Sequence, residues 1–250
     1  MSTRASPASW GVLLAWLALW WLASHAGWVH RAFLPTPEAT WASLWQGLLH
    51  GELATQAGHT LQRMAVGWLL ACGMGVALGT LIGCSDGARR WVGPSLEFLR
   101  PLPASAVLPL ATALFGLSPR MVLVVVMFGA LWPVLLGTLH GLASVPVALR
   151  EVARNLQLGP VDTVLKIGLP HAMPDILAGM RLSLAVALIV SVVGEMMAAQ
   201  SGLGQTLLLA ARSYRSSELM AGIALLSAVG VVSNLLLGRL ERTALRWQSA

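Results

Sequence analysis

Long apolar stretches separated by short polar ones set the plan of this chain. Residues 5–30, 64–85, 101–119, 121–149 and 219–238 contain no Asp, Glu, Lys or Arg, and 182–211 contains only Glu195. A bilayer's hydrocarbon core is about 30 Å thick and takes about 20 residues of helix to cross. The pattern predicts an all-α membrane protein in which residues 1–250 form one transmembrane domain. About six crossings fall near residues 10–28, 61–83, 94–116, 121–142, 176–198 and 219–238, with a polar loop over 143–174 between the fourth and fifth. The apolar run from Trp10 to Trp28 exceeds the roughly 7–15 residues of a cleavable signal core, so it is read as a retained span.

Finer spacing adds detail. Gly75, Gly79 and Gly83 recur every fourth residue, as do Gly179, Ser183, Ala187 and Ser191. Small residues at that interval let helices approach closely where lipid offers no hydrophobic drive for packing. The third segment holds Pro101, Pro103 and Pro109. Proline removes backbone donors and kinks a helix, and irregular backbone at membrane depth must be covered by protein or line a cavity. The segment is therefore expected inside a bundle, either as a structural kink or beside a pathway touching Ser105 and Pro109. Glu195 lies one turn beyond Ser191, near a span end. A carboxylate there must face protein or water, so these two either line a pathway or Glu195 partners a buried cation or backbone group.

Outside the spans, Leu34-Pro35-Thr36-Pro37-Glu38 reads as a turn and helix cap. Residues 38–49, with Trp41 and Trp45, read as an amphipathic helix lying at a membrane interface. The sequence Gln200-Ser201-Gly202-Leu203-Gly204 is a turn before a short helix over 205–217.

The chain is 56% hydrophobic and 10% charged, against about 25% charged in soluble domains. Its net charge of +6 does not call for nucleic acid. With six spans and a cytoplasmic N-terminus, Arg4, Arg89, Arg90, Arg150, Arg154, Lys166, Arg239, Arg242 and Arg246 fall inside. Only Arg31, Arg120, Arg212 and Arg215 fall outside, and Arg63, Arg100 and Arg181 sit at span ends. That bias places both termini in the cytoplasm. Cys72 and Cys84 stand twelve positions apart and read as inert lipid-side or packing thiols. The six histidines form no zinc-binding spacing, and no phosphate-binding loop is present. Ser201 and His171 are predicted on opposite sides of the membrane, so no nucleophile is assembled; no catalytic residue or metal ligand is expected.

The most distinctive polar stretch is Arg150-Glu151-Val152-Ala153-Arg154-Asn155-Leu156-Gln157-Leu158-Gly159-Pro160, followed by Ile167-Gly168-Leu169-Pro170. Residues 146–158 read as a short helix with an apolar stripe of Leu149, Val152, Ala153 and Leu156. A Gly159-Pro160 turn and a second short helix to Lys166 follow, and Pro170 and Pro174 lead into the fifth span. On periodicity alone this is either an ordinary inside loop or a handle for a soluble partner.

Glu151, Ala153, a three-residue spacer, and then Ile167, Leu169 and Pro170 resemble the signature cytoplasmic loop of permease subunits of ATP-binding cassette importers. Further landmarks, in order, resemble the aliphatic sulfonate, taurine and nitrate branch: Leu34 to Glu38, Gly51-Glu52-Leu53, Phe98 to Pro103, Phe115-Gly116-Leu117 and Ser201 to Gly204. Two departures stand out. Val152 replaces the usual second Ala, and Gln157 stands where Gly is usual, with Gly159 expected to supply the turn.

The resemblance implies a MetI-like, type I importer permease fold in a bacterial inner membrane, multi-pass and lipid-embedded. It implies a homodimer, two separate ATPase subunits that hold ATP and Mg while this chain binds no cofactor, and an extracytoplasmic solute-binding protein. It implies a coupling site of Arg150, Glu151, Ala153, Arg154, Gln157, Gly159, Leu169 and Pro170, with Glu151 as the acidic contact to the ATPase. The implied solute is a small anion such as an aliphatic sulfonate, taurine or nitrate. Relatives of this kind also carry bicarbonate, aromatic acids or pyrimidine vitamin precursors. A different class, an ATP-independent secondary carrier using Glu195, is the alternative.

Overall fold

The computed structural model describes residues 7–245, except the side chains of residues 7–10, 13 and 86; Arg4 and Arg246 of the charge tally lie outside that range. The described chain is helical throughout, with no strand. The helices are α1 (Pro7–His25), α2 (Pro37–Leu49), α3 (Leu53–Gly83), α4 (Asp86–Leu99), α5 (Leu108–Phe115), α6 (Pro119–Ala143), α7 (Val147–Asn155), α8 (Pro160–Thr163), α9 (Leu169–Ala198), α10 (Leu203–Arg212) and α11 (Ser216–Ala244).

The centre is α6, packed between α3 on one side and α9 on the other. Val122, Val125, Val126, Ala130, Val134 and Leu135 of α6 are all buried. Small residues make this contact possible. A Cβ added to Gly79 would sit 2.6 Å from the Thr138 Cβ, and one added to Gly179 would sit 2.5 Å from the Pro133 carbonyl oxygen. Both small-residue stripes of the sequence therefore lie on the packed faces. Hydrogen bonds tie the three helices further: Ser183 Oγ donates to the Ala130 carbonyl at 2.6 Å, and Trp68 Nε1 donates to the Met180 carbonyl at 3.0 Å.

Among the described residues, α3, α6, α11 and the continuous run from Pro160 to Ala198 are long and apolar enough to cross a membrane. α1 covers residues 10–25 of the predicted first crossing. Three predicted boundaries change. α3 starts at Leu53 rather than near residue 61, and its 31 residues reach about 46 Å at 1.5 Å per residue, beyond the hydrocarbon core. The fifth crossing does not begin near residue 176 after a proline-led loop. α8, a π turn (Val164–Gly168) and α9 form one helical run, with Pro170 in the first turn of α9, where a missing N–H costs little.

The third crossing differs most. α4 and the 3₁₀ turn at Ala104–Val107 that leads into α5 meet at 87°, because Pro101 and Pro103 cannot continue α4. Nor does this chain enclose the segment. Leu108 and Ala111 pack toward α6, while Ser105, Pro109, Leu110 and Leu114 stay exposed.

Candidate coupling and translocation sites

At one end of the bundle α7 projects from the loop between α6 and α9. Arg150 Nη2 donates to the Ala143 carbonyl at 3.2 Å, tying α7 to the end of α6. Ala153 is buried, whereas Val147, Leu149, Val152 and Leu156 are exposed. Only one residue of the predicted apolar stripe is thus used inside the chain. Glu151 and Arg154 are exposed beside it, and their side chains have no hydrogen-bond or ion-pair partner among the described residues. Leu169 packs with Leu142, Ala172 and Ile176 at the root of α9, so Leu169 anchors the base of the element whose tip carries Glu151.

The end of α7 corrects one expectation. Gly159 does not make the turn: its backbone is extended, with φ −65°. Gln157 makes it, with φ +52°. Leu158 N donates to the Ala153 carbonyl and Gln157 N to the Arg154 carbonyl, both at 3.0 Å. This pair of bonds is the Schellman arrangement, in which a left-handed residue closes the helix end and satisfies its last carbonyls. Glycine adopts that conformation without a Cβ penalty; here Gln does so. The Val152 substitution changes only an exposed position.

At the opposite end Glu195 is completely buried. Its carboxylate accepts from Thr60 Oγ1 at 2.9 Å, from Gly204 N at 2.9 Å and from Arg63 Nη1. Thr60 Oγ1 in turn accepts from Leu203 N at 2.8 Å, and both terminal nitrogens of Arg63 donate to the Ser201 carbonyl at 3.2 Å. The turn over residues 201–204 is wrapped around the carboxylate. A Cβ on Gly202 would collide with the carboxyl group, and one on Gly204 with the Val192 carbonyl. Burial of this charge is tolerated because it is paired and hydrogen-bonded on both oxygens. The sequence offered such a partnership as one of two readings, but Thr60 and Arg63, more than 130 positions away, carried no signal that named them.

The predicted pathway residues do not converge. Ser105 and Pro109 are exposed on the bent segment, while Ser191 and Glu195 are buried, and Ser191 Oγ has no hydrogen-bond partner among the described residues. A cleft of about 590 Å³ instead opens between the α4–α5 break, α6 and α9, with Arg100, Trp132, His140 and Asp175 in its wall. Of the other two span-end cations noted in the sequence, Arg63 is in the Glu195 clamp and Arg181 pairs with Glu241 of α11.

The family model described as "Binding-protein-dependent transport system inner membrane component" matches residues 73–246, from the middle of α3 past α11. The chain belongs to this family. The permease is 34% identical to the putative aliphatic sulfonates transport permease SsuC of Bacillus subtilis, over 94% of this chain and 85% of that one. It is also 34% identical to the nitrate import permease NrtB of Leptolyngbya laminosa, over 73% and 66%. Among solved structures, an inward-facing form of the MetNI methionine ABC transporter superposes with TM-score 0.69 at 20% identity, over 77% of this chain and 95% of that one. That likeness establishes a MetI-like importer-permease fold. The permease is a membrane-spanning transport subunit of an ATP-binding cassette importer, and ATP hydrolysis belongs to a separate chain. Systems of this kind work with an ATPase and a solute-binding protein.

Proposed function

We propose that the permease is one of two identical transmembrane halves of an inner-membrane importer for a small oxyanion, an aliphatic sulfonate, taurine or nitrate. The α7 end is cytoplasmic, as are both termini, and two ATPase subunits holding ATP and Mg dock there. A soluble binding protein delivers solute at the opposite end. The observation that carries this reading is α7 itself: exposed Val147, Val152 and Leu156 flank an unpartnered Glu151 and Arg154, on a helix rooted in α6 and α9.

That arrangement suits mechanical coupling. A partner that grips α7 pulls on Arg150 and Ala153 at its inner side, and through them on the long helices that hold the core. Glu151 and Arg154 lie on the gripped face, and Arg150 and Ala153 tie it to the bundle; Gln157 and Gly159 end it; Leu169 and Pro170 transmit movement to α9. The open face of the α4–α5 segment, with Ser105 and Pro109, is covered by the second copy, which encloses irregular backbone that lipid cannot satisfy. Glu195 holds the clamp closed rather than carrying solute. Sulfonates and nitrate are favoured over other solutes by the names borne by the relatives.

Reconstitution with the cognate ATPase and binding protein tests this reading. ATP-dependent uptake of a labelled sulfonate or nitrate is expected, with Glu151→Lys abolishing both uptake and ATPase co-purification while leaving the permease folded. Uptake without any ATPase would overturn it in favour of a secondary carrier.

A further inference from the structure

The cleft between the α4–α5 break, α6 and α9 has a chemical character that its apolar setting does not require. Trp132 lies in its wall and is 9% exposed, held edge-on by Phe128 with ring centroids 5.8 Å apart. Its Nε1 is buried and has no hydrogen-bond partner among the described residues. Buried indole N–H groups are normally paired, and this one belongs to a side chain of the cleft wall. Arg100 shares that wall. It stands at the proline break between α4 and the 3₁₀ turn, and it makes no side-chain hydrogen bond or ion pair within the described chain. His140 adds a further nitrogen, and Asp175 is the one carboxylate in the lining.

We propose that this cleft is a transient binding subsite for the charged head of a small oxyanion, which Trp132 Nε1 and Arg100 take as donors while Asp175 opposes tight retention. The inference rests on the importer reading and specifies where in the permease the solute pauses. Trp132 and Arg100 supply an N–H and a guanidinium, the pairing suited to sulfonate or nitrate oxygens. A nearby carboxylate of like charge to the solute weakens the hold, which a conducting site needs: binding must favour entry and still permit exit.

The test uses the purified full-length permease in nanodiscs of zwitterionic lipid, with tryptophan indoles labelled with nitrogen-15. Trp132→Phe assigns the Trp132 indole resonance, and the remaining indole signals report whether each variant keeps its fold. Methanesulfonate and nitrate are titrated separately, with tetramethylammonium as a cation control. A saturable shift of the Trp132 resonance is expected with both anions and none with the cation. Arg100→Gln should weaken the apparent affinity about tenfold, and Asp175→Asn should tighten it several-fold. A merely structural Asp175 would not tighten anion binding.

A resonance that stays fixed in well-folded wild type at tens of millimolar anion overturns the subsite, as does an Arg100→Gln variant of unchanged affinity. So does a resonance that responds to added anionic lipid and not to the soluble anions, which would make the cleft a headgroup site. Each of these leaves ATP-driven uptake, measured separately, as an independent result.

Discussion

Arg63 on α3 and Glu195 on α9 form an ion pair that closes the bundle at the end opposite α7. The two are 132 residues apart, and the Glu195 side chain is entirely buried. Because the same carboxylate also accepts from Thr60 and Gly204, one side chain fastens α3, α9 and the start of α10 together.

Removing one member of a buried charge pair strands the other and typically costs about 3–5 kcal/mol. Arg63→Met and Glu195→Gln should each lower the thermal stability of the detergent-purified permease by that order. The double variant should recover a large part of the loss. Additive losses in a double-mutant cycle would show that the two side chains do not act as a pair.

The turn around this carboxylate depends on having no Cβ at two positions. Gly202 has φ +155° and faces the Glu195 carboxyl, and Gly204 faces the Val192 carbonyl. Gly202→Ala and Gly204→Ala should each cost about 3 kcal/mol, from backbone strain and overpacking, and should reduce membrane abundance sharply. Gly73→Ala, on α3 with nothing within 4 Å of the added carbon, should be neutral or slightly stabilising, since Ala is the better helix former. Equal abundance for all three variants would contradict the packing described for the turn.

Gln157 is the left-handed residue at the end of α7. A non-glycine residue pays about 1–2 kcal/mol for that conformation, so Gln157→Gly should raise stability by about 1 kcal/mol. Gly159→Ala should do nothing measurable, because Gly159 is extended and its added Cβ meets no atom within 4 Å. Calorimetric melting of the two variants checks this. If Gly159→Ala is the damaging change, the turn has been placed at the wrong residue.

Glu38, at the start of α2, is held below the ordinary glutamate range. The main cause is a hydrogen bond from its own backbone N–H, helped by Thr36, Trp21 and the charge of His25. Trp21 Nε1 donates to its carboxylate at 3.0 Å, joining α1 to α2. A depressed carboxylate favours the folded state above its ordinary pKa, and this contribution disappears as pH falls through the lower folded value. The Trp21–Glu38 contact should therefore persist at neutral pH and release only in moderately acidic solution. Carboxyl NMR of Glu38 should give a midpoint below that of a model glutamate, and Glu38→Gln should remove the acid-dependent change in Trp21 fluorescence.

The order of apolar windows determined the all-α class, the membrane-spanning character and the position of the polar loop between α6 and α9, because hydrocarbon thickness and the helical rise fix how many residues a crossing takes. Spacing of small residues likewise marked the faces of α3 and α9 that meet α6: that signal is local and repeats every turn. The third crossing was legible only as far as its prolines, since a sequence reports that a helix must break but not the angle at which it resumes. Tertiary structure alone decided which buried groups meet. Glu195 finding Thr60 and Arg63, and Trp132 sharing a wall with Arg100 and Asp175, depend on contacts between segments distant in the chain, where no periodicity links the partners. The turn at Gln157 also lay beyond the sequence: a neighbouring glycine is the cheaper left-handed residue, but the hydrogen bonds from Leu158 to Ala153 and from Gln157 to Arg154 set which residue takes that conformation.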